Sequence, residues 1–276
     1  MDTEQTVVFD GHMHVYPAYR LPDALGALFA NLGRCAPTAG PAPVCAGLLV
    51  DTAASPAYRA RIGQPRLKQV GAFILQPTDE AGAMAVRDED RILGYVIAGR
   101  QFVTAERLEV LSLTADPELA DGTPLAPSLA TIRAAGGVPV LCWSPGKWSG
   151  VRGQLVRTTI EAAAPTDFLL GDTSLRPDGW PEPALLKLGR TRGFRIVQGT
   201  DALPFAGEER RLGTCATRVR GPWDPARPVT SMRRLLTAPD YALTPAGRRL
   251  SLAGFAARWT RQMVRKYARK HEAPLC

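Results

Sequence analysis

From residue 124 to residue 197 the chain repeats one unit, a helical stretch followed by a short apolar strand: 124–135 then 138–143, 151–163 then 168–171, 183–192 then 194–197. Such alternation buries a parallel sheet under helices, and right-handed crossovers leave a barrel or a doubly wound sheet as the outcomes. At 276 residues the chain has the length of one α/β barrel, which takes about 250 residues.

Upstream the alternation is less regular. Residues 7–9 read as a buried strand, and Leu21, Leu25, Leu28, Phe29 and Leu32 have helical spacing with Gly33 as a stop. A Pro/Ala/Gly-rich loop over 36–43 leads to a strand at 46–50, then to a short helix or ordered loop at 58–64. Residues 72–75, 83–86 and 92–96 are apolar runs separated by Asp, Glu and Gly, which predicts an inserted cluster of antiparallel strands. Beyond Asp201 the pattern decays into a Pro/Arg-rich connector at 221–228 and two helical stretches, 230–236 and 245–270. In the last, Leu252, Phe255, Ala256, Trp259, Met263 and Tyr267 form an apolar stripe, while Arg258, Arg261, Arg265, Arg269 and Lys270 lie largely elsewhere.

Two of the three histidines, His12 and His14, fall in Phe9-Asp10-Gly11-His12-Met13-His14 at the end of the first strand. Residues two apart in an extended chain point to one side, so both imidazoles can converge on one ion, with Asp10 nearby as a further carboxylate. The structural alternative is a pair of polar residues capping a strand. A barrel places its chemistry where strands end, and polar groups recur there: Glu109, Trp143 with Lys147, Asp172 and Asp201.

A strand followed by Asp-Gly-His-Met-His resembles the opening of the metal-dependent hydrolases with distorted (β/α) barrels, namely the amidohydrolases and the PHP (polymerase and histidinol phosphatase) domains. The Gly-x-Glu of PHP proteins looks matched by Gly99-Arg100-Gln101, and their next ligand histidine by Glu109 in Leu108-Glu109-Val110-Leu111. Their Ala-His-Pro falls on Leu141-Cys142-Trp143-Ser144-Pro145, and their Asp-x-His on Asp201-Ala202-Leu203. The resemblance therefore implies a reduced ligand set, His12, His14, Glu109 and Asp201, for one or two divalent ions such as Zn, Mn or Fe. Asp201 could equally cap a helix or close a loop, and Glu109 could face solvent.

The segment 144–153, Ser-Pro-Gly-Lys-Trp-Ser-Gly-Val-Arg-Gly, joins a strand end to a helix start. Exposed backbone N–H groups with Lys147 and Arg152 suit a phosphate or carboxylate, although the glycine spacing is not that of a Walker loop. Arg176 is either a second anion clamp or a partner for Asp172. Trp143, Trp148 and Trp180 sit where they could line a pocket or anchor packing.

Five cysteines without a close pair suggest reduced thiols rather than a disulfide framework. The polar N-terminus and the lack of an 18-residue apolar run predict a cytoplasmic protein. The net charge of +8 is concentrated late: residues 206–276 hold 15 Lys+Arg and 5 Asp+Glu, against 19 and 21 before them. This charge permits contact of the last helix with nucleic acid or an anionic membrane, although solvated surface is the commoner explanation.

The expected architecture is thus an α/β, distorted TIM-like barrel of PHP type over residues 1–228, with a basic helical extension, 229–276, packed on it. The expected function is metal-dependent hydrolysis of a small anionic substrate, a phosphoester, through a metal-activated water. Glu109 is a ligand or general base, Asp172 a reserve base, and Lys147, Arg152, Arg176 and Trp143 meet the substrate. Two alternatives stay open: a degenerate, non-catalytic binding or scaffold module, and amidohydrolase-type cleavage of a C–N or lactone bond.

Overall fold

The computed structural model describes residues 3–36 and 40–271, the side chains of 3, 59 and 266–271 excepted. Part of the 36–43 loop, Cys276 and the side chains of Tyr267, Arg269 and Lys270 therefore lie outside the described residues. In chain order the elements are β1 (Thr3–Met13), α1 (Leu21–Arg34), β2 (Val44–Asp51), β3 (Lys68–Val70), β4 (Phe73–Pro77), β5 (Ala83–Asp88), β6 (Arg91–Val103) and β7 (Glu109–Leu113). They continue with α2 (Leu125–Ala134), β8 (Val138–Cys142), α3 (Gly150–Ala162), β9 (Leu169–Thr173), α4 (Ala184–Thr191) and β10 (Ile196–Gly199). The chain then adds β11 (Cys215–Trp223), α5 (Pro228–Thr237), β12 (Thr244–Gly247) and α6 (Leu252–His271). A one-turn π-helix occupies Tyr58–Ile62.

The main sheet runs β10-β9-β8-β7-β6-β2-β1-β11-β12, with the β3–β5 antiparallel cluster branching from β6. It curls into a nearly closed barrel. The interior is filled by alternate residues of the strands, among them Val7, Phe9, Leu48, Val50, Ile97, Leu111, Val140 and Val197, together with Met232, Leu235 and Leu236 of α5. Residues of opposite parity meet the outer elements: Val8, Leu49 and Val96 pack with α1, and Val110, Leu141 and Leu170 with residues of α2–α4.

Three departures from simple βα alternation decide where the chemistry sits. First, β1 bulges between Asp10 and Met13, where three steps on β1 match two on β2. A bulge reverses which residues face inward. Val7 and Phe9 point into the barrel, yet Met13 joins the outer core, so the inward positions become His12 and His14.

Second, β7 is antiparallel to both neighbours, pairing Val103 with Glu109 and Glu109 with Cys142. Glu109 therefore opens its strand rather than ending one. It still reaches the face where β6 and β8 end, because the reversed strand brings its first residue there. Third, the stretch after Asp201 contains a strand where the sequence reading saw only decay: β11 pairs antiparallel with β1 from Phe9↔Thr217 to Thr3↔Trp223. The helix expected from residue 245 begins only at Leu252, since Pro245 and Gly247 belong to β12 on the edge of β11.

Between β10 and β1 the barrel is closed by other means than a strand ladder. The Thr200 N–H donates to Asp10 Oδ1 (2.8 Å) and the Asp201 N–H to His12 O (2.8 Å). Glycine makes this approach possible: a Cβ at Gly199 would lie 2.2 Å from His12 N, and one at Gly11 would lie 2.9 Å from Gln198 O. Backbone on the receiving side cannot retreat as a flexible side chain could. We expect Gly199→Ala to cost about 3 kcal/mol through overpacking, seen as a lower Tm together with weakened metal binding; an unchanged Tm would mean that the two strands are not held in contact.

Candidate metal centre

Each member of the cluster reaches the mouth of the barrel from a different strand end. His12 and His14 come from the β1 bulge, Gln101 from β6, Glu109 from β7, Ser144 and Lys147 from the loop after β8, and Asp201 from the residues after β10. Asp201 has a left-handed backbone (φ 49°), a conformation Asp tolerates better than most residues, and the turn aims its carboxylate back at the histidines.

The His12 and His14 Nε2 atoms stand 3.1 Å apart, and each is 3.7 Å from Asp201 Oδ1. Ligands about 2.1 Å from an ion at a tetrahedral angle stand about 3.4 Å from one another, so the three atoms bracket the spacing a divalent ion needs. The ring orientation fits as well. His14 Nδ1 donates to Val50 O (2.9 Å), which leaves its Nε2 lone pair free to ligate. His12 Nε2 also faces Gln101 Oε1 at 2.8 Å, a neutral and weaker donor than a carboxylate.

Electrostatics match this donor set. Burial lowers the pKa of His14 to about 4, helped by neighbouring His12, and burial likewise lowers that of His12. Both rings are then neutral, as ligation requires. Burial raises the pKa of Asp201 to about 7, against the opposing pull of His14. Glu109 behaves oppositely: burial pushes it up, but Lys147 (2.5 Å to Oε1) and the Ser144 hydroxyl (2.5 Å to Oε2) outweigh burial and hold it below its usual value.

This separation predicts the pH dependence of metal binding. An ion competes with the proton on Asp201 below about pH 7, but with no proton on His14 until near pH 4. Zinc affinity measured from pH 7 to 5 should fall about tenfold per unit, one proton per ion. Asp201→Asn should flatten the slope, whereas a two-proton slope near pH 6 would show that the histidines titrate normally.

The other expected site residues are placed as follows. Asp172 is buried between two guanidiniums, Arg176 (2.6 Å) and Arg249 (2.5 Å), and neither Asp172 nor Arg176 lines the cavity above the cluster. Arg152 donates to Gly146 O within the loop that carries Lys147. Trp143 packs in the outer core with Leu141 and Val156. Asp10, expected as a further carboxylate, is instead committed to backbone: its oxygens accept from the N–H groups of His12, Thr200 and Gly213.

Above the cluster lies a cavity of about 240 Å³, with Lys147, Tyr16, Leu203, Phe255, Arg258 and Trp259 among its lining residues. The last three belong to α6, which crosses the barrel mouth. It is held by Arg258 to buried Glu208 (2.6 Å), by Arg265 to Pro204 O, and by Arg261 over the Phe205 ring (4.5 Å). Of the apolar stripe expected to pack on the barrel, Phe255 and Trp259 line this cavity, whereas Leu252, Ala256 and Met263 are exposed.

No protein-family model matches the sequence, and no curated protein matches it. By structure the chain is similar to PsfC from Pseudomonas syringae PB-5123, with a TM-score of 0.59 and 11% identity over 96% of this chain and 99% of that one. Weaker likenesses are to the lesion-specific endonuclease PfuEndoQ from Pyrococcus furiosus (TM-score 0.47, 10% identity, 86% of this chain and 57% of that one) and to a Bacteroides vulgatus ATCC 8482 protein. The latter is a two-domain protein containing a predicted PHP-like metal-dependent phosphoesterase (TM-score 0.45, 11% identity, 88% and 65%). The chain thus shares its fold with PsfC across nearly the whole of both proteins.

Proposed function

We propose that the chain is a metal-dependent hydrolase acting on a small phosphoester. The observation that carries this reading is the convergence of two neutral imidazoles and one carboxylate beneath a cavity that also presents Lys147. His12, His14 and Asp201 would hold the ion, which when bound supplies Lewis acidity and a water acidic enough to serve as hydroxide near neutral pH.

The remaining roles follow from position. Lys147 neutralises the substrate's anionic group. Glu109, kept ionised, is a further ligand or the base that takes a proton once Lys147 turns to substrate. Phe255 and Trp259 exclude water and limit substrate size. Arg152 steadies the Lys147 loop, and the Asp172–Arg176 pair, with Arg176 donating to Trp180 O, supports the loop beneath α6.

The test is phosphate release from a panel of phosphomonoesters by protein loaded with Zn, Mn or Fe. Lys147→Ala should raise KM about tenfold or more, the worth of one charge-assisted hydrogen bond, with a smaller change in kcat. A metal-loaded protein that binds the esters without cleaving any would instead favour a binding module. That second reading has its own observation, the weak donor Gln101 where the resemblance expects a carboxylate. Opening of amides or lactones without phosphate release would favour the amidohydrolase-type alternative.

A further inference from the structure

The largest cleft described, about 750 Å³, lies outside the barrel between the end of α1 and the β11–β12 edge, and shares no lining residue with the candidate metal centre. Its charged lining is one-sided: Arg34, Arg218, Arg248 and Arg249 against the single carboxylate of Asp178.

These guanidiniums are poorly neutralised. Arg249 shares Asp172 with Arg176, two cations on one carboxylate, and its Nε is buried without a hydrogen-bond partner. The hydroxyl of Thr214, on the same wall, is likewise buried without a partner. Among the described residues Arg34 donates to Asn31 Oδ1 (2.6 Å) and to no carboxylate. Among the described residues no ion pair joins Arg218 or Arg248 to a carboxylate.

The position of Arg218 is fixed by the sheet. On β11, Val219 faces the barrel interior while Ala216 packs with α1, so Arg218, of the same parity as Ala216, extends toward α1 and Arg34. Like charges gathered in a concave wall raise one another's energy unless an anion enters, and guanidiniums pair with phosphate oxygens in bidentate geometry. The cleft is too large for a single phosphate and within the usual range for small-molecule sites. Its wall carries no aromatic ring on which a base could stack. We propose that this cleft is a second site, which binds a polyphosphate chain, whether inorganic or the tail of a nucleotide.

The test is calorimetric titration of the full chain with sodium tripolyphosphate, ATP and adenosine at physiological salt. Saturable binding of tripolyphosphate is expected in the wild type and, equally, in His12→Ala/His14→Ala. Arg218→Ala/Arg248→Ala should weaken it at least tenfold, and Arg248→Glu, a change at an exposed position, should do the same. Arg133→Ala/Arg157→Ala, which removes two exposed arginines on α2 and α3, should leave it within about twofold, since distant charge is screened. Tripolyphosphate binding at least as tightly as ATP identifies the inorganic chain, and tighter ATP identifies the nucleotide. Absence of polyphosphate binding, its loss in the histidine variant, or an equal loss in the Arg133/Arg157 control would overturn the proposal.

Discussion

Replacing His12 and His14 together by alanine is expected to reduce bound metal from about one ion per chain to less than a tenth, and phosphoester cleavage by about a thousandfold or more. The reason is the composition of the donor set. Besides the two Nε2 atoms, Asp201 completes the trio, and burial raises the pKa of its carboxylate to about 7 even with His14 and Lys147 pulling it down. An ion held by one carboxylate that is half protonated at neutral pH, with Gln101 as a neutral neighbour, lacks the ligands that divalent metals need. The fold should survive. His14 lines the cavity and His12 stands beside it against the polar Gln101, and the side-chain tie lost to the backbone is the His14 bond to Val50 O. Elemental analysis beside a thermal melt separates the two effects. Equal metal content in variant and wild type would place the ion elsewhere, and a collapsed melt would assign the histidines to structure.

The pair was legible because it needed only local information: two imidazoles two residues apart at a strand end. Which way they pointed was not, since the direction depends on the bulge at Gly11, and the bulge exists because Gly11 must pass close to Gln198 on a strand nearly two hundred residues away. Glu109 was found for a partly mistaken reason. The sequence reading treated it as one of the groups that follow strands, whereas it opens β7, and strand reversal cannot be read from a five-residue apolar run. β11 was missed because its outward residues include Arg218 and Arg220 and it carries Gly221 and Pro222, although Cys215, Thr217 and Val219 alternate inward as a half-buried strand requires. The role of α6 was out of reach for another reason. Periodicity identifies an apolar face, but not what that face covers.

The positions that sequence matched to lost ligands have physical occupants. In Leu141–Pro145, the stretch matched to Ala-His-Pro, Cys142 at the end of β8 lies 3.7 Å from His12 Nδ1, and burial raises its thiol well above the ordinary value. A neutral thiol beside a neutral imidazole adds no charge to the centre. Leu203, in place of the terminal histidine, lines the cavity with carbon, and its carbonyl accepts from Tyr19 Oη (2.5 Å). The centre is therefore smaller and more apolar than a full ligand set would make it, consistent with one ion and a compact substrate.

Asp10→Ala is expected to be the most destabilising substitution near the centre, because this carboxylate joins the first strand to the last turn of the barrel. One oxygen accepts from the His12 N–H (3.1 Å) and the Thr200 N–H (2.8 Å), and the other from the Gly213 N–H (2.9 Å); the residue is fully buried. Alanine would leave three buried donors without an acceptor, at about 1–3 kcal/mol each, so a loss of about 3–9 kcal/mol follows. That is a large part of the roughly 5–15 kcal/mol by which a domain is stable, and a chain of this size should melt about 8–15 °C lower. Asp10→Asn is the sharper experiment. Its oxygen can keep His12 and Thr200, while its amide meets the Gly213 N–H donor to donor, so the melt should fall by about a third as much. Metal binding would weaken in proportion to the shift of the His12 backbone. If Asp10 were a metal ligand instead, the asparagine variant would lose the ion with its melting temperature unchanged, and the tie between the first strand and the last turn would have to be sought in other residues.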